Sequence, residues 1–549
     1  MAKRAHAYPQ VDPGAAALVD TPVAIIPRRA RVSDALGLAR RRQASAVSAD
    51  RRVWILRDDL ARAARLGLGE LPASALARPV PLVDARAGEI AVRRRLADGA
   101  PVVIVREGRR GVLGAISAVA ASPTTSLPSK FAERLDDFAR AALAKLGPVA
   151  SEQRAAAFLV GGVVRDALLT RGSAATRDLD VVVEGDGLAV ARALATALGL
   201  AAGGLVEHSR FLTASLASPD HGHVDIATAR SERYETPGAL PRVMPASIGE
   251  DLSRRDFTIN AMAVELASGG LAVLDPFGGR AALARRHVTI LHPLSFAEDP
   301  TRIFRAARYA ARLGFSLDAW TVRALGLALR LAPYVALSGQ RLAAELALIA
   351  GDQCPDVALR DLGSMGAFRL FTPDYRFTGA IAERARRLPA ALAWCRAHAL
   401  APSPLEVAAM IVLSGQSATV VRGALDRLVI TGEPRTRIER ALTRPVVLAK
   451  RGAPASDRAR PLRGLSDVEL LALWLAGGNA RRDAEWLVGT ARWVRPALGG
   501  DDIVALGVAP GPRVADALRA LRDARLDGRL TDHDSEVTFV QDFLSREEG

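Results

Sequence analysis

The pattern of apolar and polar positions divides the chain into three parts. Residues 19–117 alternate short apolar runs with amphipathic stretches, and residues 155–312 combine strand-like apolar runs with clustered charged motifs. Beyond Gly314, apolar residues recur at helical spacing. Short apolar runs bounded by turn residues are typical of buried strands, whereas spacings of three and four are typical of helices. The pattern predicts mixed α/β structure in the first half and an all-α second half.

Two similar stretches lie within residues 19–117. In the first, VAII and VWIL flank RVSDALGLARRR, which has the spacing and the Ser33 start of an amphipathic helix. In the second, PLVD and VVIV flank another such segment, so each copy predicts a strand, a helix and a strand. The repeat resembles a tandem pair of CBS modules, and that resemblance implies an adenosine nucleotide as a ligand. The alternative is a small α/β packing domain that binds none.

The composition of the chain predicts a class of binding partner and a cellular compartment. The 549 residues carry a formal net charge of +15, which favours a polyanionic partner, with RNA as the first candidate. The two cysteines, Cys354 and Cys395, predict neither a disulfide framework nor a cysteine-based zinc site. No apolar stretch reaches the ~20 residues of a spanning helix, and the polar N-terminus does not read as a signal peptide. We therefore expect a cytoplasmic protein without membrane contact.

The first candidate for chemistry is a turn after a predicted strand. AAAFLV at 155–160 reads as a buried strand, and Gly161 and Gly162 allow a tight turn before a helix that begins near Val163. Backbone N–H groups at the start of a helix, together with Arg165, suit a triphosphate. A lone Gly-Gly turn is usually structural, so this prediction depends on the motifs that follow it.

Three carboxylates follow on predicted strands. Asp178 and Asp180 flank Leu179 in DLDVVVEG, and residues two apart on a strand point to the same face. Adjacent carboxylates in so apolar a strand need a cation, and Mg²⁺ prefers oxygen ligands of this kind. Asp225, in the strand-like HVDIATAR, is a candidate third carboxylate. Two metal ions held here would activate a hydroxyl and stabilise a leaving pyrophosphate, which predicts nucleotidyl transfer.

Two further motifs predict nucleotide recognition. RRDFTINA, residues 254–261, contains Asp256 and Asn260, which can hydrogen-bond hydroxyl groups. EDPTR begins a predicted helix, with Asp299 and Arg302 on neighbouring positions of one face. A carboxylate that accepts from an exocyclic amine and a guanidinium that donates to ring acceptors favour C or A over U or G. Taken alone, such a pair is more often a surface ion pair.

The order of these motifs resembles the class II tRNA nucleotidyltransferase and bacterial poly(A) polymerase family, of the polymerase-beta superfamily. The match covers about residues 155–345 and extends more weakly toward the C-terminus. The resemblance implies two Mg²⁺ ions with Asp178 and Asp180 as ligands, while Asp225 stays the candidate third catalytic residue. The predicted nucleotide-binding residues are Gly161, Gly162, Arg165, Asp166, Arg255, Asp256, Asn260, Asp299, Arg302, Arg305 and Arg308.

The same resemblance implies a reaction and its substrates. Members add A, or C, C and A, to tRNA 3′ ends from CTP and ATP without a template. The Pro- and Gly-containing segment between Arg230 and Asp251 predicts an exposed, mobile loop, which A-adding members keep and CC-adding members shorten. Two alternatives stay open: a poly(A) polymerase that uses ATP on RNA 3′ ends, and a non-catalytic, CBS-regulated RNA-binding protein.

The expected fold is multidomain α/β plus all-α. A Ser/Pro/Thr-rich stretch at 121–130 is the predicted linker, and DPFGG at 275–279 is expected to join head to neck. From N- to C-terminus we predict a CBS-like α/β domain (1–120), a linker and helix (121–150), a polymerase-beta-like nucleotidyltransferase head (151–275), a helical neck with the base-selecting motif (276–345) and a helical, RNA-binding body and tail (346–549).

Overall fold

The computed structural model divides the chain into two compact units, Met1–Ser338 and Gly339–Gly549. Most of the predicted linker at 121–130 lies outside the described residues, and the predicted domain boundaries stay predictions. The described residues are 14–108, 111–117, 126–128, 130–169, 178–218, 222–266, 271–443 and 452–545.

The N-terminal part of the first unit contains two three-stranded sheets. Its elements are α1 (Gly14–Ala17), β1 (Val23–Ile25), α2 (Val32–Arg41), β2 (Ala46–Ser48), β3 (Ile55–Leu56), α3 (Arg57–Arg65), β4 (Leu82–Asp84), α4 (Glu89–Ala97), β5 (Val102–Glu107) and β6 (Gly111–Ser117).

The two sheets have the same topology, which confirms the strand, helix, strand pattern expected for each copy. In the first, β1 and β2 are parallel and β3 runs antiparallel to β2. In the second, β4 and β5 are parallel and β6 runs antiparallel to β5. A helix connects the parallel strands in both, because parallel strands need a crossover. The assignment of the pair to the CBS family stays a prediction.

The middle of the first unit is built on one mixed sheet. Its elements are α5 (Asp137–Glu152), β7 (Ala156–Val160), α6 (Gly162–Leu169), β8 (Leu179–Glu184), α7 (Gly187–Leu198), β9 (Leu205–His208), β10 (Thr213–Ala217), β11 (His223–Thr228), β12 (Arg230–Arg233), β13 (Arg242–Pro245), α8 (Ile248–Ser253), β14 (Ala263–Glu265), β15 (Val273–Leu274), α9 (Gly279–Arg285) and β16 (His287–Val288).

This sheet has the strand order β15-β14-β7-β8-β11-β10-β9. The central pair β8 and β11 is parallel, and every other neighbouring pair is antiparallel. Val181, Val182 and Val183 of β8 are all buried, as expected for a strand covered on both faces. The strands predicted at FLV, DLDVVVEG and HVDIATAR are confirmed, and β8 and β11 carry the carboxylates to one edge.

The segment between Arg230 and Asp251 differs from the loop that its prolines and glycines predict. It forms an antiparallel hairpin, in which β12 pairs with β13, and then the helix α8. A capping box starts α8, because the Ser247 hydroxyl accepts from the Glu250 backbone and the Glu250 carboxylate accepts from the Ser247 backbone. The expectation of an irregular loop was wrong, since local strand pairing satisfies the backbone despite the turn residues.

The EDPTR motif also departs from its prediction, because it does not begin one helix. A short helix ends at Glu298, Asp299 has extended backbone angles (φ −137°, ψ 95°), and the next helix starts after Pro300. A proline disfavours helical angles at the residue before it and is well placed at the first turn of a helix. The elements here are α10 (Ser295–Glu298), α11 (Thr301–Leu313), β17 (Ser316–Leu317) and α12 (Ala319–Leu331).

The described residues of the second unit form helices joined by loops, with no strand among them. This agrees with the helical spacing of apolar residues beyond Gly314. No helix among the described residues is long and apolar enough to cross a bilayer. Its helices are α13 (Gly339–Ala350), α14 (Pro355–Ser364), α15 (Gly379–Arg386), α16 (Leu388–Ala397), α17 (Pro404–Leu413), α18 (Ala418–Arg427), α19 (Gly432–Thr443), α20 (Ala455–Ala459), α21 (Asp467–Ala476), α22 (Gly478–Gly489), α23 (Gly500–Ala505), α24 (Pro512–Leu526) and α25 (His533–Ser545).

A backbone contact joins the second N-terminal sheet to the DPFGG turn. Gly278 has a φ of +73°, and a Cβ built on it would lie 2.2 Å from the carbonyl oxygen of Asp98. A Cβ built on Gly99 would lie 2.1 Å from the backbone nitrogen of Gly278. Two main chains therefore approach closely enough that only glycine fits at either position.

This contact gives a stability prediction. Gly278→Ala should lower the free energy of unfolding more than Gly67→Ala, and we expect the excess to be about 1–3 kcal/mol. Gly67 is the matched control because it has a φ of +75° but no atom within 4 Å of a built Cβ. Both substitutions place a side chain on a left-handed backbone and should lose the same free energy for that reason. The difference between the two variants in urea unfolding therefore measures the steric clash at Gly278. Equal losses would show that the DPFGG turn is not packed against Asp98.

Candidate active site

A polar pocket of about 320 Å³ lies where the central sheet meets α11. Its walls come from the turn after β7, from β8, from the hairpin β12–β13, and from both nucleotide-recognition motifs. The residues that line it are Gly161, Gly162, Asp180, Glu232, Tyr234, Arg254, Arg255, Asp256, Asn260, Asp299, Arg302, Arg305 and Tyr309.

The turn after β7 forms one wall of this pocket. Gly161 has a φ of +74°, which lets the chain turn sharply from the strand into α6. A Cβ built on Gly161 would lie 3.3 Å from both Nη1 of Arg255 and Oδ2 of Asp180. A side chain at this position would therefore touch both a guanidinium and a carboxylate, whereas glycine leaves that space open.

The carboxylates meet on the parallel strands, as the sequence predicted. Asp180 of β8 is the direct register partner of Asp225 of β11, and Asp178 lies just before β8. The ring of His223 lies between the other two, with Nδ1 2.9 Å from Oδ1 of Asp178 and Nε2 3.2 Å from Oδ2 of Asp225. The Ser215 hydroxyl lies 2.5 Å from Oδ1 of Asp225. Asp180 lines the pocket, whereas the predicted residues Asp178 and Asp225 do not, and no local pattern predicted the contacts of His223.

The electrostatics of this edge suit a cation. Loss of water around its carboxylate raises the pKa of Asp180, and the charges of Asp225 and Asp178 raise that pKa further. Arg255 and His223 act in the opposite direction. A divalent cation would relieve the repulsion between like charges, and carboxylate oxygens are the donors that Mg²⁺ prefers.

The carboxylates do not form a closed metal-binding cluster in this conformation. Within the described part of the chain, no three His, Cys, Asp or Glu side chains stand close enough to share an ion. The donor chemistry at Asp178 and Asp180 fits Mg²⁺, and His223 contacts one oxygen of Asp178 and one oxygen of Asp225. An ion bound through those two oxygens would have to replace the contacts with His223.

A buried hydrogen-bond chain connects three motifs behind the pocket. Oδ2 of Asp256 accepts from Nε and Nη2 of Arg305 at 2.9 and 2.6 Å, and Oδ1 accepts from Nδ2 of Asn260 at 3.0 Å. Oδ1 of Asn260 in turn accepts from Nη1 of Arg165 at 2.8 Å. Arg165 donates two further bonds to Asp166, at 2.8 and 2.9 Å. The chain fixes α6, the RRDFTINA segment and α11 relative to one another.

Burial and partners set the charge of Asp256. Burial alone would raise the pKa of Asp256, but the Arg305 guanidinium and the Asn260 amide outweigh it and hold that pKa below its ordinary value. The carboxylate is therefore ionised at neutral pH. Because both of its oxygens already accept from protein donors, its geometry fits a positioning role better than the hydroxyl contact that the sequence suggested.

Hydrogen bonds to the protein hold Asp299 and Arg302, the pair predicted to select the base. Nη1 of Arg302 donates to the Ser295 hydroxyl at 2.9 Å, and Nη2 donates to the carbonyl oxygen of Arg254 at 2.8 Å. Oδ1 of Asp299 accepts from the backbone and hydroxyl of Thr301 at 3.1 and 2.7 Å. Both side chains line the pocket, although Asp299 precedes α11 rather than sharing a helical face with Arg302.

The hairpin supplies a wall that the sequence did not predict. The Tyr234 hydroxyl donates to Oε2 of Glu232 at 2.9 Å, and Nη1 of Arg254 donates to Oε1 of the same carboxylate at 2.7 Å. Arg254 and Arg255 both pair with the buried Asp251, at 2.5 and 3.0 Å. This network fastens β12 to the start of the RRDFTINA segment.

The structure gathers most of the predicted site residues but not all. Arg165 is buried behind the pocket and Asp166 pairs with it, so neither lines the cavity. Arg308 lies against the Tyr309 ring, 5.1 Å from its centroid, and is also absent from the lining. The lining residues that the site prediction omitted are Glu232, Tyr234, Arg254 and Tyr309. Arg254 stands within the RRDFTINA motif, so a full reading of that motif could have found it.

Comparison with known proteins agrees with this site. Residues 157–289 match the poly(A) polymerase head domain family. An A-adding tRNA nucleotidyltransferase of Geobacter sulfurreducens is 34% identical over 418 residues, which are 73% of this chain and 46% of that protein. A CC-adding tRNA nucleotidyltransferase of Deinococcus radiodurans is 34% identical over 388 residues, which are 70% of this chain and 89% of that protein.

A solved structure shares the architecture. The apo form II of a CCA-adding enzyme superposes with a TM-score of 0.65 at 27% identity, covering 76% of this chain and 98% of that one. The chain belongs to the tRNA nucleotidyltransferase family that carries the poly(A) polymerase head domain. It spans about half the length of the A-adding relative from Geobacter sulfurreducens.

The carboxylate edge gives an activity prediction. Asp180→Asn should lower nucleotide incorporation by about 10²–10³-fold or more, because it removes a charge at the point where a cation and a triphosphate would meet. Asp186→Asn is the matched control. Asp186 is the N-cap residue of α7, the helix that follows β8, and it does not line the pocket. Steady-state incorporation by both variants measures the difference. Comparable activities would remove Asp180 from the chemistry.

The buried Asp256 gives a pH prediction. Its pKa is depressed in the folded state, so its stabilisation is present above the unfolded pKa of about 4 and is lost as pH falls through the folded value. Asp256→Asn should cost about 1–3 kcal/mol of unfolding free energy near pH 7, and the cost should shrink in acid. Urea unfolding at several pH values measures it.

An exposed ion pair provides the control for that measurement. Glu235→Gln neutralises a contact with Arg242 between two exposed side chains, and should change stability by less than about 1 kcal/mol. A cost for Asp256→Asn that stays constant down to about pH 3 would contradict the assignment of an ionised, compensated carboxylate.

Proposed function

We propose that the protein is a template-independent tRNA nucleotidyltransferase that adds A, or C, C and A, to tRNA 3′ ends from ATP and CTP. The observation that carries the proposal is that Asp180, the register partner of Asp225, lines one pocket together with Asp299 and Arg302. That pocket therefore contains a carboxylate suited to phosphoryl chemistry and hydrogen-bonding groups suited to base recognition. The names of the relatives support the same activity.

The proposed reaction is a single displacement at phosphorus. The oxygen of the RNA 3′ hydroxyl bonds to the α-phosphorus of the nucleotide, the bond between that phosphorus and the bridging oxygen to the β-phosphate breaks, and pyrophosphate leaves. The hydroxyl proton is released in the same step. Little covalent work is left to the protein, so positioning and charge stabilisation should supply most of the rate.

Divalent cations are part of the proposal. Asp178 and Asp180 would hold two Mg²⁺ ions, with Asp225 as the third carboxylate of the edge. Bound there, the ions would acidify the attacking hydroxyl and neutralise charge on the triphosphate. Burial is the main cause that raises the pKa of Asp180, and the charges of Asp225 and Asp178 raise it further, so a cation at this edge would stabilise the ionised carboxylate.

The remaining pocket residues have binding roles in this proposal. Gly161 and Gly162 give the triphosphate access to bare backbone beside Arg255. Asp299 would accept from the exocyclic amine of C or A, and Arg302 would donate to ring acceptors. Arg305 bridges the pocket and Asp256, so it can meet a phosphate while it stays anchored.

The proposed macromolecular partner is the 3′ end of tRNA, in the cytoplasm. A net charge of +15 supports an RNA partner, because summed positive charge raises association with phosphate backbones. An adenosine nucleotide stays a proposed ligand of the N-terminal repeats. It is supported by a cleft of about 920 Å³ between those repeats and the head, whose lining includes Arg52, Arg78, Arg95, Arg285 and Arg323.

Extension of defined RNAs tests the proposal. Three transcripts of one tRNA, ending at the discriminator base or with one or two Cs added, are supplied with CTP or ATP separately, and Asp178→Ala protein is the blank. Addition of two Cs and then one A would establish CCA addition. A single A on the transcript that ends in two Cs would establish A addition.

The other outcomes of that experiment are equally informative. Cs without A would make the protein a CC-adding enzyme and overturn the proposed addition of A. Long A tails on unrelated RNA would make it a poly(A) polymerase, which the head-domain family also contains by name. No incorporation on any transcript would contradict the catalytic proposal and favour a non-catalytic RNA-binding role.

A further inference from the structure

We infer that the N-terminal α/β domain is part of the base-selecting apparatus, and that Arg62 of α3 is its positioning residue. The inference rests on the proposed function, because it concerns the choice between nucleotides at the same pocket. Two independent contacts carry it: a buried ion pair to the EDPTR motif, and an apolar cluster that reaches the pocket wall at Tyr234.

The ion pair joins residues that lie far apart in the sequence. Nη1 of Arg62 donates to Oε1 of Glu298 at 2.8 Å, across a separation of 236 residues. The Glu298 side chain is only 5% exposed, and that of Arg62 is 26% exposed. A carboxylate buried to this degree needs a charged partner, since an unpaired buried charge is strongly destabilising.

Arg62 provides the charge that Glu298 needs at neutral pH. His292 is the other contact, with Nε2 3.3 Å from Oε2 of Glu298. Burial lowers the pKa of His292 to about 4, so its ring is neutral near pH 7. Burial alone would raise the pKa of Glu298, and its contacts, first with His292 and then with Arg62, lower that pKa below its ordinary value. Arg62 stays charged throughout the neutral range, so of the two side chains on this carboxylate its guanidinium is the permanent cation.

Glu298 is joined directly to the base-selecting pair. Asp299 follows it in the chain and takes an extended conformation, and Arg302 donates to the hydroxyl of Ser295 at the start of α10. A shift of Glu298 would therefore move both the backbone of Asp299 and the anchor of Arg302. Arg62 is therefore placed to position this segment.

The second contact reaches the part of the pocket wall that the hairpin supplies. Tyr234, which lines the pocket, belongs to one apolar cluster with Leu294, Ala297 and residues of the first N-terminal repeat such as Leu36 and Leu60. The same domain thus packs behind both the hairpin wall and the EDPTR wall. A nearby backbone bond strengthens the junction, as the Gly238 N–H donates to the carbonyl oxygen of Glu298 at 3.1 Å.

The experiment compares nucleotide discrimination in matched variants of the full chain. On the tRNA transcript that the wild-type protein extends, kcat and KM are measured for the preferred nucleotide and for UTP and GTP. Arg62→Gln should lower discrimination by about tenfold. Arg57→Gln should leave it unchanged within about twofold, because Arg57 begins the same helix and its side chain forms an ion pair with the exposed Asp58 at 3.9 Å.

A double-mutant cycle separates positioning from general stability. If Arg62 acts through Glu298, then Arg62→Gln should add little to the loss already caused by Glu298→Gln. Arg62→Lys keeps the positive charge but replaces the planar guanidinium with an ammonium group, so it should recover part of the discrimination. It also serves as the test if Arg62→Gln fails to fold, since Arg62→Lys should then show an intermediate loss.

The outcomes distinguish this inference from the proposed function. A wild-type protein that extends no transcript would contradict the proposed function itself. An active wild-type protein whose Arg62→Gln variant discriminates as well as the Arg57→Gln control would overturn the role of Arg62. Additive losses in the cycle would also overturn it, because they would show that Arg62 and Glu298 act separately.

Discussion

The ion pair between Asp256 and Arg305 is the interaction on which the site depends. Arg305 belongs to α11 and Asp256 to the RRDFTINA segment, and the Asn260 amide extends the contact to Arg165 of α6. Three stretches that are distant in the sequence thereby share one buried hydrogen-bond chain. Because an unpaired charge in such a place is costly, the carboxylate and its donors hold each other in one arrangement. This hydrogen-bond chain therefore fixes the positions of the pocket residues on all three stretches.

The pocket lined by this chain contains both carboxylates and guanidinium groups. Asp180 lines it close to Arg255, and Asp299 lines it together with Arg302. Such an arrangement suits a metal-bound triphosphate and a base in one cavity. Gly161 suits the turn beside Asp180 because its φ of +74° is left-handed and a Cβ there would touch both Asp180 and Arg255.

The sequence predicted this site well wherever the chemistry is carried by contiguous motifs. The strands around Asp180 and Asp225 followed from apolar runs, and the structure pairs these two residues in register on parallel strands. Contacts between distant residues could not be predicted: His223 between Asp178 and Asp225, Tyr234 in the pocket wall, and Arg62 on Glu298. Each depends on tertiary packing, which local patterns do not encode. The helix predicted at EDPTR failed for a local reason, since Pro300 forces Asp299 out of helical angles.

The central claim is that protein side chains, rather than a nucleic-acid template, select the base. Equilibrium binding of CTP, ATP, UTP and GTP to the RNA-free protein in the presence of Mg²⁺ tests it most directly. We predict that CTP or ATP binds at least about tenfold more tightly than UTP and GTP, and that Asp299→Ala removes the difference. Equal affinities for all four nucleotides, or a preference that survives Asp299→Ala, would contradict it.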